Sequence, residues 1–237
     1  MRTLMRRILF LIIILSSTTF VNAQQTEPSD NVDAKCFRIE SEFNLQTLKE
    51  NSNKESSFAL PSLLFRYGLN KKIELRVGNI GEYHRIVSEN DTEKDFSIGN
   101  VEIGAKAQLL NSKTKIAFFS HIILPKKNFS INNFGIVNTL TISHDLSDKY
   151  SIGYSLGYNY FEQSSATYSL FFNRNINENE TVYLETFGEY NLEDDFSQIV
   201  NLGYTFVFNK FIDFDITAGK GLFSNTNFYS IIISFNI

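Results

Sequence analysis

The sequence has one cysteine, no tryptophan and no long apolar run after its first 24 residues. Because Cys36 is alone, it cannot form an intramolecular disulfide, which excludes a secreted scaffold held together by disulfides. No run of about 20 apolar residues follows Gln24, so any passage through a membrane must use strands. The chain also lacks a basic excess, since its formal charge is −4. This balance excludes nucleic acid as a partner.

The first residues have the layout of a cleavable secretory signal. Three arginines precede an apolar run from Ile8 to Leu15, and small residues end the pattern at Ala23. The residues that follow are polar and lack periodicity, which is typical of an unstructured tail. We predict three regions: a signal peptide over 1–23, a periplasmic tail over 24–35 and an outer-membrane barrel over 36–237.

A strict alternation of side chains marks the stretch from Tyr150 to Tyr160, which reads Tyr-Ser-Ile-Gly-Tyr-Ser-Leu-Gly-Tyr-Asn-Tyr. Successive side chains of a strand point to opposite faces, so this segment has one apolar face and one small polar face. Its length of about eleven residues suits a tilted strand that crosses a bilayer. A soluble barrel also alternates, but the polar face here consists mainly of Gly, Ser, Thr and Asn, which favours a membrane barrel with a polar interior.

Tight-turn signals recur along the chain and alternate with longer or more charged connections such as Ser88 to Asp95. Short periplasmic turns and longer external loops produce this alternation, so we predict an all-β, transmembrane, antiparallel up-and-down barrel of about twelve strands. The tight turns are Asn70-Lys71, Asn111-Ser112-Lys113, Ser147-Asp148, Asn177-Glu178-Asn179 and Asn209-Lys210. The predicted strands are 36–47, 56–69, 72–86, 95–110, 114–124, 131–146, 149–161, 166–176, 180–191, 196–208, 211–219 and 227–237.

A minority of charged residues, of both signs, falls on the polar faces of these strands. Two readings stay open for them: an interior salt-bridge network that holds strand register and fills the pore, or a constriction that selects solutes by charge. The four acidic residues of the late strands give one wall an acidic bias, which predicts a weak preference for cations. The predicted lumen-lining residues are Glu74, Arg76, Glu102, Lys106, Glu185, Glu189, Asp213 and Asp215.

Two blocks of sequence resemble a known family. The first runs from Pro61 to Gly78 and contains Arg-Tyr-Gly-Leu followed by Glu-Leu-Arg. The second runs from Ile98 to Lys106 and is followed by Ile-Ile-Leu-Pro ending at Pro125. Both are similar to motifs of the outer-membrane transporter family named after the meta-cleavage (MetA) pathway of phenol degradation. The resemblance implies an outer-membrane β-barrel that passes small, including aromatic, solutes. From the residues themselves we expect neither a cofactor nor a metal.

The function expected from these observations is passive diffusion of a small solute through a barrel surrounded by outer-membrane lipids. A sealed structural barrel whose external loops bind a partner is the alternative. No enzyme is predicted, because in Ser120-His121 and Ser143-His144 the adjacent side chains point to opposite faces of a strand. The closing strand, with Phe235 near its end, resembles the signal that the barrel assembly machinery recognises.

Overall fold

The computed structural model describes residues 26–50, 53–87, 92–124, 134–161, 163–191 and 196–237. None of these residues belongs to a helix long and apolar enough to cross a membrane. They form twelve strands: β1 (Phe37–Glu50), β2 (Asn53–Gly68), β3 (Ile73–Val87), β4 (Thr92–Asn111), β5 (Thr114–Leu124), β6 (Gly135–Asp145), β7 (Tyr150–Phe161), β8 (Gln163–Asn175), β9 (Glu180–Asn191), β10 (Phe196–Asn209), β11 (Ile212–Gly221) and β12 (Thr226–Asn236).

The strands form one closed antiparallel barrel. Each strand pairs with its neighbours in sequence, and β1 pairs with β12 to close the sheet. At the seam, the backbone N–H of Phe37 donates to the carbonyl of Ile237, and the N–H of Ile237 donates back, both at 2.8 Å. Closure leaves no unpaired edge, which a strand in lipid requires. The predicted fold, an up-and-down transmembrane barrel of about twelve strands, is confirmed.

Side chains alternate between the two faces of the wall as the sequence pattern predicts. On the outside, Leu156 and Leu202 are 63% and 64% exposed, whereas their neighbours Ser155 and Asn201 are buried inside. The outer face is therefore apolar and suited to lipid. The interior is filled mainly by small polar side chains, including Thr139, Thr141, Ser143, Ser155, Ser169, Thr217, Ser230 and Ser234.

The five predicted tight turns all lie at the end of the barrel that carries the start of β1. Asn70 and Asn209 each accept two hydrogen bonds from the backbone N–H groups that follow them, at 2.8–3.0 Å. Ser147 accepts two in the same way. These local bonds replace ladder partners where the chain reverses, as expected for Asn and Ser in tight turns.

At the opposite end the strands extend further than the side-chain pattern predicts. The predicted strand ends at residues 47 and 56 are wrong, because β1 and β2 stay paired as far as Glu50 and Asn53. Backbone hydrogen bonds do not depend on side-chain polarity, so the ladder continues where the sequence becomes polar. Similarly, β4 begins at Thr92 rather than 95. Of the predicted Ser88 to Asp95 loop, residues 92–95 are strand and residues 88–91 lie outside the described residues.

Candidate functional site

Three arginines lie side by side on the inner wall. Arg38 of β1 is opposite Arg66 of β2, and Arg66 is opposite Arg76 of β3. Directly opposed residues share a face of the sheet, so all three guanidinium groups point into the lumen. We call these residues the arginine row. Like charges at this spacing repel, so the row requires nearby carboxylates.

Three carboxylates of the wall compensate the arginine row. Glu74 accepts hydrogen bonds from Nε and Nη2 of Arg66 at 2.8 and 3.0 Å. Glu40 forms ion pairs with Arg66 at 2.8 Å and with Arg38 at 2.7 Å. Asp213 of β11 accepts from both terminal nitrogens of Arg38 at 3.0 and 2.8 Å. Because β12 lies between β11 and β1, this last pair spans the seam of the barrel.

Residues 26–36, which we call the N-terminal segment, supply a further carboxylate. Oε1 of Glu27 lies 3.0 Å from Nη2 of Arg76 and 3.1 Å from Nζ of Lys106. Both cationic side chains are buried, with Lys106 fully inaccessible to solvent. The sequence predicts a periplasmic tail over residues 24–35. It gives no indication that Glu27 contacts Arg76 and Lys106 of the inner wall.

Lys106 also binds the backbone of the N-terminal segment. Its ammonium donates to the carbonyl oxygens of Pro28 at 3.0 Å and Asp30 at 2.6 Å. With the bond to Glu27, all three donors of this ammonium contact the segment. The ammonium lies 3.9 Å from Glu74 on the neighbouring strand, at the limit of an ion pair. Lys106 is therefore solvated by the segment rather than by water.

The N-terminal segment extends from the β2–β3 wall to β9. Its carbonyl at Glu27 accepts a hydrogen bond from Thr141 of β6 at 2.6 Å. The backbone N–H of Thr26 donates to Glu185 of β9 at 2.5 Å. The N-terminal segment therefore crosses the lumen and narrows it at the depth of these contacts.

The N-terminal segment enters the lumen beside the end of β2. Lys35 adopts a positive φ of 67°, which is uncommon for a residue with a side chain, and its N–H donates to the carbonyl of Gly68 at 2.6 Å. The N–H of Gly68 donates to the carbonyl of Cys36 at 3.1 Å. A side chain at Gly68 would overlap the carbonyl oxygen of Asp33. The absence of a Cβ at residue 68 thus allows the segment to lie against β2.

The ionisation of Glu27 follows from its partners. Burial alone would raise the pKa of this carboxyl, but the positive charges of Arg76, Lys106 and Arg66 outweigh burial and lower it well below its usual range. Glu27 therefore stays ionised and attached at neutral pH.

The structure brings together only part of the predicted lumen set. Glu74, Arg76 and Lys106 meet in one cluster on β3 and β4. Glu102 does not join them, because its carboxylate contacts Nδ1 of His121 at 3.2 Å. On the other wall Asp215 accepts a hydrogen bond from the hydroxyl of Tyr183 at 2.6 Å.

The remaining acidic residues of the set occupy separate positions. Asp213 is neutralised by Arg38 across the seam. Glu185 accepts from the amide of Asn201 at 3.0 Å in addition to its bond with Thr26. Glu189 lies nearer the loop end of β9, opposite Ser197 of β10. The acidic bias of this wall is therefore spread along the barrel rather than gathered at one constriction.

The sequence analysis did not identify four residues of the charged cluster formed by the arginine row, Lys106 and their carboxylate partners. Arg38, Glu40 and Arg66 fall on inward positions of β1 and β2, so the same alternation that identified Glu74 contained the signal for them. Glu27 had no such signal, because it lies in a polar segment without periodicity.

Aromatic side chains narrow the lumen closer to the loops. The rings of Phe187 on β9 and Phe228 on β12 make an edge contact with centroids 6.0 Å apart, although two strands separate them along the wall. Ile199 of β10 is buried nearby in register with Phe187. The lumen thus combines a charged region near the turns with an apolar region nearer the loops.

Possible ligands for a metal ion are dispersed. Within the part of the chain that the structure describes, no group of three His, Cys, Asp or Glu side chains is arranged to hold one. His144 contacts the hydroxyl of Thr114 at 2.9 Å. The ring of His121 packs against that of Phe119 in a tilted arrangement, with ring centroids 5.1 Å apart.

Comparison with solved structures places the fold among porin-type barrels. The KdgM porin in complex with disordered oligogalacturonate is similar, with a TM-score of 0.56 and 11% identity over 84% of this chain and 98% of that chain. The NanC porin has a TM-score of 0.54 and 10% identity over 83% and 98% of the two chains. The translocator domain of the autotransporter NalP from Neisseria meningitidis has a TM-score of 0.53 and 7% identity over 99% and 95%. These similarities establish the fold, that of an outer-membrane barrel.

Sequence comparisons give the family. No curated protein matches the chain. Residues 22–231 match the family described as "Putative MetA-pathway of phenol degradation". The match covers most of the chain and contains both blocks on which the resemblance was based. The chain therefore belongs to this family of outer-membrane barrels.

Proposed function

We propose that the protein is an outer-membrane channel through which small solutes, including aromatic ones, cross by passive diffusion. The observation that carries this proposal is the polar, charged inner wall of a closed barrel, part of which is covered by a segment that is not a strand of the wall. A barrel of this size lies between small filled barrels and open porins, so side chains and the segment decide its effective bore. Release or shift of the N-terminal segment would widen the path.

Aromatic solutes are supported by the chemistry of the lumen. Phe119, Phe171 and Phe228 are buried inside the barrel, where they offer apolar contacts along the path. The family description, which refers to phenol degradation, supports the same solute class. Apolar rings beside polar groups orient a small aromatic molecule without binding it tightly, as passage requires.

The predicted lumen set carries the proposed selectivity. Glu185, Glu189 and Asp215 lie away from the arginine row and would favour cations weakly along that wall. The arginine row and Lys106 carry the opposite sign, so selectivity would depend on which wall a solute follows.

A second candidate function is a sealed barrel whose external loops bind a partner. The observation that favours it is the number of buried ion pairs between the N-terminal segment and the wall, which also fit a permanent filling of the lumen. In that case the charges would serve register and stability alone.

Conductance in planar bilayers separates the two candidates. The full-length, heat-modifiable protein would be measured beside Glu74→Gln and Asp213→Asn, with Glu178→Gln in an exposed turn as the matched control. We expect discrete channels whose ion preference shifts in the two lumen variants and not in the control. Silence from a correctly folded barrel would support the sealed alternative.

Export and assembly complete the proposal. Cleavage after Ala23 would leave Gln24 as the first residue, and the C-terminal strand with Phe235 would be recognised by the barrel assembly machinery. Mass spectrometry of the mature protein tests the cleavage. Replacement of Phe235 by a charged residue is expected to reduce the amount of barrel in the outer membrane.

A further inference from the structure

We propose that the position of the Glu27 carboxylate is an anion-binding site of the lumen, which takes a small aromatic carboxylate when the N-terminal segment withdraws. In this structure the site holds a carboxylate that belongs to the chain itself. The inference deepens the proposed channel function by naming a solute class, and it rests on that function.

The contacts of Glu27 define the site. Nη2 of Arg76 lies 3.0 and 3.1 Å from the two carboxylate oxygens, and Nζ of Lys106 lies 3.1 Å from Oε1. Both cations come from the barrel wall, on β3 and β4, and both are buried. The binding groups therefore belong to the rigid sheet, and only the anion belongs to the segment.

The ion pairs of the wall leave this position short of negative charge when Glu27 is absent. The cluster contains four cations and three wall carboxylates: Arg38, Arg66, Arg76, Lys106, Glu40, Glu74 and Asp213. When Glu27 leaves, Arg76 and Lys106 keep only Glu74 as an ion-pair partner among the described residues, and Glu74 also pairs with Arg66, so positive charge is left undercompensated. Such a charge is unfavourable, so an anion from solution would replace the carboxylate that left.

The N-terminal segment is suited to act as a displaceable occupant. Residues 26–32 are not a strand of the barrel, so they can leave without breaking the ladder. A tethered carboxylate acts at an effective concentration of roughly millimolar or higher. A solute must compete with it, and the apparent affinity of the intact protein equals the intrinsic affinity multiplied by the fraction of sites that Glu27 leaves free.

The neighbouring rings favour an aromatic carboxylate over a simple inorganic anion. The guanidinium of Arg76 lies 5.5 Å from the ring centroid of Phe119, and the ring of His121 packs beside that ring at 5.1 Å. A flat aromatic body attached to the carboxylate would meet these rings while its charge met Arg76 and Lys106. Chloride and acetate would gain only the charge contact.

Isothermal titration calorimetry of the full chain in detergent tests the site, with sodium benzoate as the probe and neutral benzamide as its isosteric control. We expect benzoate to bind Glu27→Ala at least about tenfold more tightly than the unaltered protein, because the tethered competitor is gone. The matched control Glu178→Ala, in an exposed turn, should leave benzoate affinity unchanged. Benzamide and acetate should bind more weakly than benzoate to every variant that keeps both Arg76 and Lys106.

Removal of the cations provides the decisive comparison. Adding Arg76→Met to Glu27→Ala should abolish the gain in benzoate affinity. If that double variant does not fold, as judged by heat-modifiable migration, Lys106→Gln in the Glu27→Ala background tests the same point. Equal benzoate affinity with and without Glu27 would overturn the proposal. So would benzamide binding as tight as benzoate, or benzoate binding that survives loss of the cations.

Conductance of the same samples separates this inference from the channel function. Channels that form without benzoate binding overturn the anion site and leave the proposed channel standing. Benzoate binding in a protein that never conducts supports the site and overturns the channel. Failure of both measurements in folded protein overturns both proposals.

Discussion

Glu27 and Lys106 form an ion pair, with 3.1 Å between Oε1 and Nζ, that attaches the N-terminal segment to strand β4. The other two donors of Lys106 are taken by the backbone of the same segment. The segment therefore replaces water around the buried charge of Lys106, and Lys106 in turn is one of the wall residues that hold the segment in the lumen.

Replacement of Lys106 by Met should destabilise the barrel. It removes one partner from a buried ionic cluster and leaves two backbone carbonyls without a donor, so we expect a loss of about 3 kcal/mol in the free energy of unfolding. Urea titration followed by heat-modifiable migration on gels measures it. Lys113→Met, in the exposed turn between β4 and β5, is the control, and an equal midpoint for both variants would contradict the prediction.

Glu27→Gln should increase ion conductance. The amide keeps the size of the side chain but loses the charge that Arg76 and Lys106 attract, so the N-terminal segment should leave the wall more often. Single-channel recordings of this variant beside Glu178→Gln measure the effect. Unchanged conductance and open time in Glu27→Gln would mean that the backbone contacts alone hold the segment.

Two glycines of neighbouring strands should respond differently to the same added methyl group. At Gly68 a Cβ would overlap the Asp33 carbonyl, whereas at Gly78 the nearest atom would be 3.6 Å away, an ordinary contact. We expect Gly68→Ala to cost about 1–3 kcal/mol of stability or to displace the N-terminal segment. Gly78→Ala should stay within about 0.5 kcal/mol of the unaltered protein. Thermal unfolding of the two variants measures the contrast, and similar losses would refute the packing argument.

Attachment of the N-terminal segment should persist in mild acid. The folded-state pKa of Glu27 is lowered, despite burial, by Arg76 and Lys106. A lowered carboxyl pKa contributes stability that is complete above the pKa of the unfolded chain and is lost only as pH falls through the lower folded value. Hydrogen exchange of the segment, corrected for intrinsic rates, should therefore show the same protection at about pH 7 and about pH 5. A loss of protection centred on the usual glutamate range would contradict this.

The hydroxyl of Tyr183 should contribute to stability through its buried bonds. It donates to Asp215 at 2.6 Å and contacts the hydroxyl of Thr217 at 2.6 Å. Because a hydrogen bond to a charged group is lost, Tyr183→Phe should reduce the free energy of unfolding by about 2 kcal/mol. Tyr229→Phe, on the lipid-facing side, serves as control in the same urea titration, and equal losses would contradict the prediction.

The fold was predictable because two local signals agreed. The alternation of side chains assigned Leu202 to the outer face and Asn201 to the inner face. Short polar residues such as Asn70 indicated where the chain reverses direction. Both signals can be read from residues that are adjacent in sequence. Strand ends near the loops were less predictable, since backbone pairing there continues through residues 49 and 54, beyond the point at which the alternating sequence pattern ends.

The ion pairs of the lumen were far less predictable than the assignment of side chains to the inner or outer face of the wall. Arg38 and Asp213 are 175 residues apart and meet only because the barrel closes with a particular register. No local pattern contains that register. The role of Glu27 could not be predicted for another reason. A polar segment without periodicity does not indicate which part of the barrel wall it will contact.

The carbonyl contacts of Lys106 with Pro28 and Asp30 have a consequence for how this family can diverge. Every residue has a backbone carbonyl oxygen, so these two hydrogen bonds do not depend on which amino acids occupy positions 28 and 30. These two contacts therefore place no constraint on side chains. The carboxylates of Glu27 and Asp30, which pair with Arg76, Lys106 and Lys115, are the side chains expected to be retained among relatives that keep these cations.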